Sequence, residues 1–355
     1  MIDRSRPSTS CGPPPHTTAG STPAEAPGAA GIWTDADLLT PLRSTVLLRA
    51  EGEDVDHFLQ GQLSSDLRKL NLQRSHLAAY SSPKGRVLAI FTLSRSEDGA
   101  ALLEINRDIA DAVIKRLRMF ILRARVRLKP ADTWTGLGVA GPHAAEALTA
   151  LGLSVPAEVG ATAWSGGVQI ARRHGDRARF TVWGHADRIT EIQAALQRSL
   201  PLGDDVDWRR IELIAGVPSV YRQTQDHFVA QMLNLDLLGG ISFDKGCYTG
   251  QEVIARLHYL GNLKRRMFRL WSDARDVVPG TAIIDPSGTA VGEVVDSADS
   301  EAGSIVSAVL RLAHLHAPLH LQDHEPGALS APEPFAAGLP PLPAPEETGR
   351  GDQGG

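Results

Sequence analysis

Cysteine is nearly absent from this chain: Cys11 and Cys247 are the only two in 355 residues. Two cysteines, one of them in a stretch without apolar pattern, make no disulfide framework, so a reducing, cytoplasmic compartment is expected. No apolar run approaches the length needed to cross a bilayer, and the first residues lack the apolar centre of a secretion signal. Neither a membrane partner nor export is expected. Positive charge is not in excess either, with 36 basic against 41 acidic residues and a net charge of −5. A dedicated nucleic-acid binder shows a strong basic excess, so strong direct binding to nucleic acid is not expected. No phosphate-cradling Walker loop, paired zinc CxxC or Ser-His-Asp arrangement stands out. His314, His316, His320 and His324 cluster loosely. On a strand His314 and His316 would share a face, but the spacing matches no defined metal site.

What remains is an ordinary globular composition, 42% hydrophobic and 22% charged, long enough for two or three cores. Residues 1–31 and 323–355 are rich in small residues and proline and show no apolar period. They read as low-complexity tails, although Phe335 or Leu339 could dock. Between them, residues 44–49 read as a strand, and Val55, Phe58, Leu59 and Leu63 mark an apolar helix stripe. Strands at 78–80 and 87–91 flank the turn Ser82-Pro83-Lys84-Gly85-Arg86. A strand at 102–105 leads into a helix capped by Asn106 or Asp108. The strand–helix pattern recurs at 137–151 and again at 179–196, which suggests paired α+β lobes. Arg123, Arg125, Arg127 and Lys129 alternate with apolar residues, which on a strand places four cations on one face. That face is either a solvated edge or a docking surface for an anion. From Met267 short apolar runs alternate with turn signals, the pattern of a small all-β barrel.

The most informative stretch is Asp244 to Arg256, DKGCYTGQEVIAR. Thr249 followed three residues later by Glu252 has the spacing of a capping box at a helix start. Gly246 and Gly250 admit backbone angles that other residues resist. Cys247 would then lie just outside a helix N-terminus and beside Lys245, a setting that favours thiolate over thiol. A lone cysteine can equally be a small buried hydrophobe.

Lys245-Gly246-Cys247-Tyr248-x-Gly250-Gln251-Glu252, with Arg256 four residues on, resembles the signature of the YgfZ family of folate-binding proteins. The lead-in Asn234-Leu235-Asp236 and Ile241-Ser242-Phe243, the segment Phe58 to Leu63 with Asp66, and Gly261 to Arg265 are similar to that family too. The resemblance spans about Leu39 to Leu319. It implies two ferredoxin-like α+β lobes related to the glycine-cleavage T-protein aminomethyltransferase, followed by a small C-terminal β-barrel. The expected division is a first lobe at 32–130, a second at 131–262 carrying the cysteine motif, with the lobes free to interleave, and a barrel at 263–322.

The family also implies a cofactor and a role: tetrahydrofolate or a one-carbon derivative of it, and assistance to iron–sulfur protein assembly or repair, with iron–sulfur carrier or client proteins as partners. Arg210-Ile211-Glu212, followed by Gly216 and Pro218, resembles the motif in which a glutamate contacts the pterin ring. A carboxylate can accept two parallel N–H bonds from an aminopyrimidine edge. Otherwise Glu212 would be a helix-surface group paired with Arg209 or Arg210. Where the T-protein carries acids after its glycine pair, this chain has Arg86-Val87-Leu88-Ala89. General acid–base catalysis needs an ionisable group in reach of the reacting atom, so aminomethyl transfer is not expected. A folate-dependent one-carbon transferase is the alternative reading. Cys247 cannot hold a cluster alone, since clusters need about four ligands, so it would share one with a carrier or act as an exchange thiol.

Overall fold

A computed structural model describes residues 36–335 except Pro326. In chain order the elements are β1 (Leu38–Pro41), β2 (Thr45–Glu51), α1 (Val55–Gln62), β3 (His76–Ser81), β4 (Val87–Arg95), β5 (Ala101–Asn106), α2 (Arg107–Ile121), β6 (Arg127–Pro130), β7 (Trp134–Ala140), α3 (Ala144–Ala150), β8 (Thr162–Ser165), β9 (Val168–Arg172), β10 (Arg179–His185), α4 (Ala186–Leu196) and α5 (Asp205–Ile214). After two 3₁₀ turns come α6 (Gln251–Tyr259), β11 (Arg265–Ser272), β12 (Ala282–Ile284), β13 (Ala290–Ser300), β14 (Gly303–Arg311), β15 (Leu319–Leu321) and β16 (Ala328–Leu329).

Two five-stranded antiparallel sheets form the lobes. The first runs β3-β4-β5-β2-β6 and the second β1-β7-β10-β9-β8. Helix α2 lays Ile109, Val113 and Leu117 on the first sheet. Its start is fixed by Asn106, whose side chain accepts from the Asp108 amide at 3.0 Å. Helices α3 and α4 bury Leu148, Ile189, Ile192 and Leu196 against the second sheet. Leu42, Leu47, Leu102, Ala140, Trp183 and Trp208 form a cluster where the lobes meet. Two glycines of β7 make that contact possible. A Cβ on Gly138 would sit 2.4 Å from the Trp208 ring, and one on Gly136 would sit 2.9 Å from the Trp183 ring. Both rings therefore lie directly on strand backbone.

The third body is a closed barrel, β11-β14-β13-β12-β15-β16. Its first four strands fall where the sequence pattern places them. Buried Asp296 on β13 ties the barrel to the lobes: it pairs with Arg209 of α5 and accepts from the Tyr221 hydroxyl at 3.0 Å.

Several sequence expectations are corrected. The lobes exchange segments, which the expected division left open, but its bounds change. β1 belongs to the second sheet although it precedes the first lobe, because Leu38–Pro41 pairs with β7. The cysteine motif sits on the first lobe, not the second: Phe228, Leu233, Ile241, Tyr248 and Ile254 all pack into the first core. The segment after residue 323 is not all tail. β16 closes the barrel against β11 through Ser272 and Leu329, and Phe335 is buried in the first core against Gly216. The alternating cations are a strand only from Arg127. Leu122 takes a positive φ of 46° after α2, and Asp54 holds the next turn by accepting from the Arg125 amide at 2.7 Å. His314 lies in a 3₁₀ turn, so it and His316 are not neighbours along a strand face. The expectations for residues 1–31, Cys11 and Leu339 fall outside the described residues.

Candidate functional site

The structure separates the candidate residues into two places. The first is a cavity of about 210 Å³ between the lobes, walled by β4 and β5 of the first sheet, β10 of the second, α5 and the Val217–Tyr221 segment. Glu212 lines it with about a fifth of its side chain exposed. It pairs with neither Arg209 nor Arg210. Its Oε1 accepts from Arg179 Nη1 at 2.9 Å and lies 3.9 Å from Arg173 Nη2. Arg173 in turn donates to Glu104 Oε2 at 3.0 Å. Arg209 pairs instead with Asp296 of the barrel, which lines the same cavity, and Arg210 pairs with Asp207.

Glu104, Arg173, Arg179 and Glu212 thus form an alternating group of two carboxylates and two guanidiniums, three of them nearly sealed from solvent. Burial raises the Glu104 carboxyl above its ordinary range, opposed by the charge on Arg173. Burial lowers Arg179, opposed by Glu212. Burial also lowers the neighbouring His174 imidazole to about 4, helped by the charges on Arg173 and Arg179. Buried charges persist only when paired and hydrogen-bonded, so the four side chains hold one another in place. Beside them Thr181, 1% exposed, is one of the cavity's lining residues, and its buried hydroxyl has no hydrogen-bond partner among the described residues. An unsatisfied buried hydroxyl costs about 1–3 kcal/mol. The cavity suits a polar ring head. It is smaller than the roughly 300–1,000 Å³ of pockets that enclose whole ligands, so a longer molecule would extend out of it.

The second place is the cysteine loop. The expected capping box is absent. Helix α6 begins one residue later, with Gly250 as its N-cap at φ 84° and no side-chain cap. A Cβ there would lie 2.6 Å from the Ser82 carbonyl oxygen and 3.0 Å from the Gly85 Cα, so only glycine lets the helix start against the Lys84-Gly85 turn. Gln251 turns back and accepts from the Tyr248 amide at 3.2 Å, while Glu252 is exposed. Lys245 is not a free cation beside the thiol. It is 6% exposed, and its Nζ donates to the carbonyls of Gln60, Leu63 and Ser65 at 2.7, 2.5 and 2.9 Å. Burial lowers its pKa to about 8. Its ammonium also sits 4.8 Å from the centre of the Tyr248 ring, whose hydroxyl burial pushes up to about 12. Gly246 and Cys247 are exposed between these two buried side chains, and Arg256 is exposed farther along α6.

Cys247 is not among the residues that line the cavity. Leu88 and Ala89, at the positions where the T-protein resemblance implies acids, lie on β4, with Ala89 fully buried. Sequence reasoning missed Glu104, Arg173, Arg179 and Thr181. The one available signal was Glu104 itself, a lone charge inside the apolar run Ala101–Ile105. Among the described residues no group of three or more His, Cys, Asp or Glu is placed to hold a metal ion. None of their helices is long and apolar enough to cross a membrane.

Two interleaved α+β lobes followed by a closed barrel make a fold of the aminomethyltransferase T kind. The structure is similar to the glycine cleavage system aminomethyltransferase T from Bartonella henselae, with a TM-score of 0.64 at 15% identity over 84% of this chain and 86% of that one. No family model matches the chain. Relatives place it more narrowly. It is 31% identical over 310 residues to the tRNA-modifying protein YgfZ of Sodalis glossinidius, covering 84% of this chain and 93% of that protein. The proteins of the same name from Colwellia psychrerythraea and Edwardsiella ictaluri are 30% and 31% identical over 66% and 64% of this chain, and over 71% and 69% of their own. The chain belongs to the YgfZ family.

Proposed function

We propose that this protein binds tetrahydrofolate, or a one-carbon derivative of it, in the cavity between the lobes. Through Cys247 it assists the assembly or repair of iron–sulfur proteins, and by that route the tRNA modification for which its relatives are named. The observation that carries the folate reading is Glu212 on the cavity wall, fixed by Arg179. A carboxylate matches the donor-rich edge of an aminopyrimidine ring, and Trp208 lines the same cavity. The cavity holds the ring head, and the remainder of the folate leaves through the opening.

Cys247 acts outside the cavity, at the surface. It is the only cysteine among the described residues, so a resident cluster does not fit the loop. An exposed thiol can instead complete a cluster held by a carrier or client protein, or exchange with one, in a compartment reducing enough to keep it a thiol. Direct RNA binding is not part of this reading. The net charge is −5, and of the expected cationic face Arg125 pairs with Glu53 at 2.6 Å and Lys129 lies 3.9 Å from Glu51.

The test is a calorimetric titration of the full chain with tetrahydrofolate and with a folate bearing a one-carbon group. Saturable binding that Glu212→Gln weakens supports the reading; no binding of either form refutes it.

A further inference from the structure

The loop presenting Cys247 is fastened to the first lobe at one short segment, Gln60 to Ser65. The Ser64 hydroxyl donates to the Gly240 carbonyl at 2.5 Å, and the Ser242 amide donates to the Ser64 carbonyl at 2.9 Å. The Thr249 amide donates to the Gly61 carbonyl at 3.2 Å. Between these ends, the Lys245 ammonium spends all three donors on the carbonyls of Gln60, Leu63 and Ser65. Those carbonyls lie at and just beyond the end of α1, where the last turn of a helix leaves acceptors unsatisfied and its dipole favours a cation.

The burial pattern along the loop follows from this. Lys245 is 6% and Tyr248 8% exposed, and Gly246 and Cys247 stand out between them. A Cβ on Gly246 would meet nothing within 4 Å, so the projecting pair has no wall of its own. Its placement depends on the two flanking anchors.

We propose that Lys245 is the positioning residue of the cysteine site: it clamps the loop to the end of α1 so that Cys247 is displayed in one place, and it does not act as a charge partner of the thiol. The segment Phe58 to Asp66, which stood out in the sequence without a chemical task, is the seat of that clamp. The proposal rests on the reading of Cys247 as the working thiol, but the clamp itself is measurable without it.

The experiment uses the full chain with Cys11→Ser, so that a nitroxide can be placed on Cys247 alone, together with amide exchange read by mass spectrometry. Lys245→Met keeps the length and apolar stem but removes the donors. It should speed exchange in residues 61–66 and 241–249 roughly tenfold to a hundredfold, the range set by losing charged hydrogen bonds. The nitroxide spectrum should sharpen, while amides of β4 and β10 keep their protection. Lys245→Arg, which retains charge and donors, should restore most of the protection. Unchanged loop exchange in Lys245→Met overturns the proposal. So does an equal rise in the sheets, which would make Lys245 a general core staple. A Cys247→Ser strain that grows like wild type would refute the functional reading of the thiol and leave the clamp standing.

Discussion

Glu212→Gln is the substitution whose consequences the structure allows to be worked out in two currents at once. The amide keeps the shape of the carboxylate and still offers an oxygen to Arg179 Nη1, 2.9 Å away. What it removes is charge. Arg173 keeps Glu104 at 3.0 Å, but Arg179, 1% exposed, loses its only carboxylate partner among the described residues. Breaking a buried pair costs about 3–5 kcal/mol, and the surviving amide contact argues for the lower end, about 3 kcal/mol. Ligand binding should fall separately. Replacing a charged acceptor by an amide, one of whose polar atoms is a donor, removes about 1–3 kcal/mol, or roughly 5- to 150-fold in affinity. Urea denaturation without ligand should show a lower midpoint with an unchanged slope, the signature of lost stability and not of a changed denatured state. Calorimetry at a urea-free temperature where the variant is fully folded should show the affinity loss. Unchanged folate affinity in a demonstrably folded variant refutes Glu212 as a ligand contact. An unchanged midpoint refutes the account of the four buried charges.

Four further outcomes follow from the same physics. Cys247→Ser should leave the melting temperature and folate affinity nearly unchanged, since the side chain is exposed and outside the cavity, yet abolish rescue of iron–sulfur enzyme activity in cells lacking the native protein; full rescue would remove the thiol from the mechanism. Gly250→Ala should cost at least about 1–2 kcal/mol for a left-handed backbone, before its contact with Ser82 is counted, whereas Gly246→Ala should be tolerated; equal effects in denaturant titrations would contradict the loop geometry. His174 has a folded pKa near 4 against 6.5 when free, so the unfolded chain takes the proton first as pH falls. Its contribution is complete above pH 6.5 and is lost between 6.5 and 4, up to about 3 kcal/mol, and His174→Asn should flatten the stability slope in that window. No aminomethyl transfer is expected in a glycine-cleavage assay, because Leu88 and Ala89 offer no acid or base on β4; robust turnover would show that another group does the work.

How much of this was legible follows from the range over which each signal acts. The first four barrel strands could be read because turn residues delimit long alternating runs. β15 and β16 could not, since three and two residues carry no period. Glu212 was found through its motif, but its real partners were not, because Arg173 and Arg179 arrive from β9–β10 and Glu104 from β5. Local charge pattern offered only Arg209 and Arg210, which face the barrel and α5's own first turn. At the cysteine loop the Thr249–Glu252 spacing fitted a capping box, yet the tertiary contact of Gly250 with the Ser82–Gly85 turn decided where α6 begins. Lys245 misled for the same reason: proximity in sequence to Cys247 was outweighed by three carbonyls about 180 residues away.

The exchange of segments between the lobes also fixes a timetable for the chain during its synthesis. β1 leaves the ribosome about 100 residues ahead of β7, the strand it pairs with; at ~5–20 residues per second it waits for something like 5–20 s. The first lobe waits longer still, because Phe228, Leu233, Ile241, Tyr248 and Ile254, which complete its core, are translated after the whole second sheet. A nascent chain that has emerged past His185 but not yet to Phe228 therefore holds every strand of the second sheet, while the core of the first still lacks its last apolar residues. The cysteine loop is secured only late in translation, when the segment that carries it completes the first core.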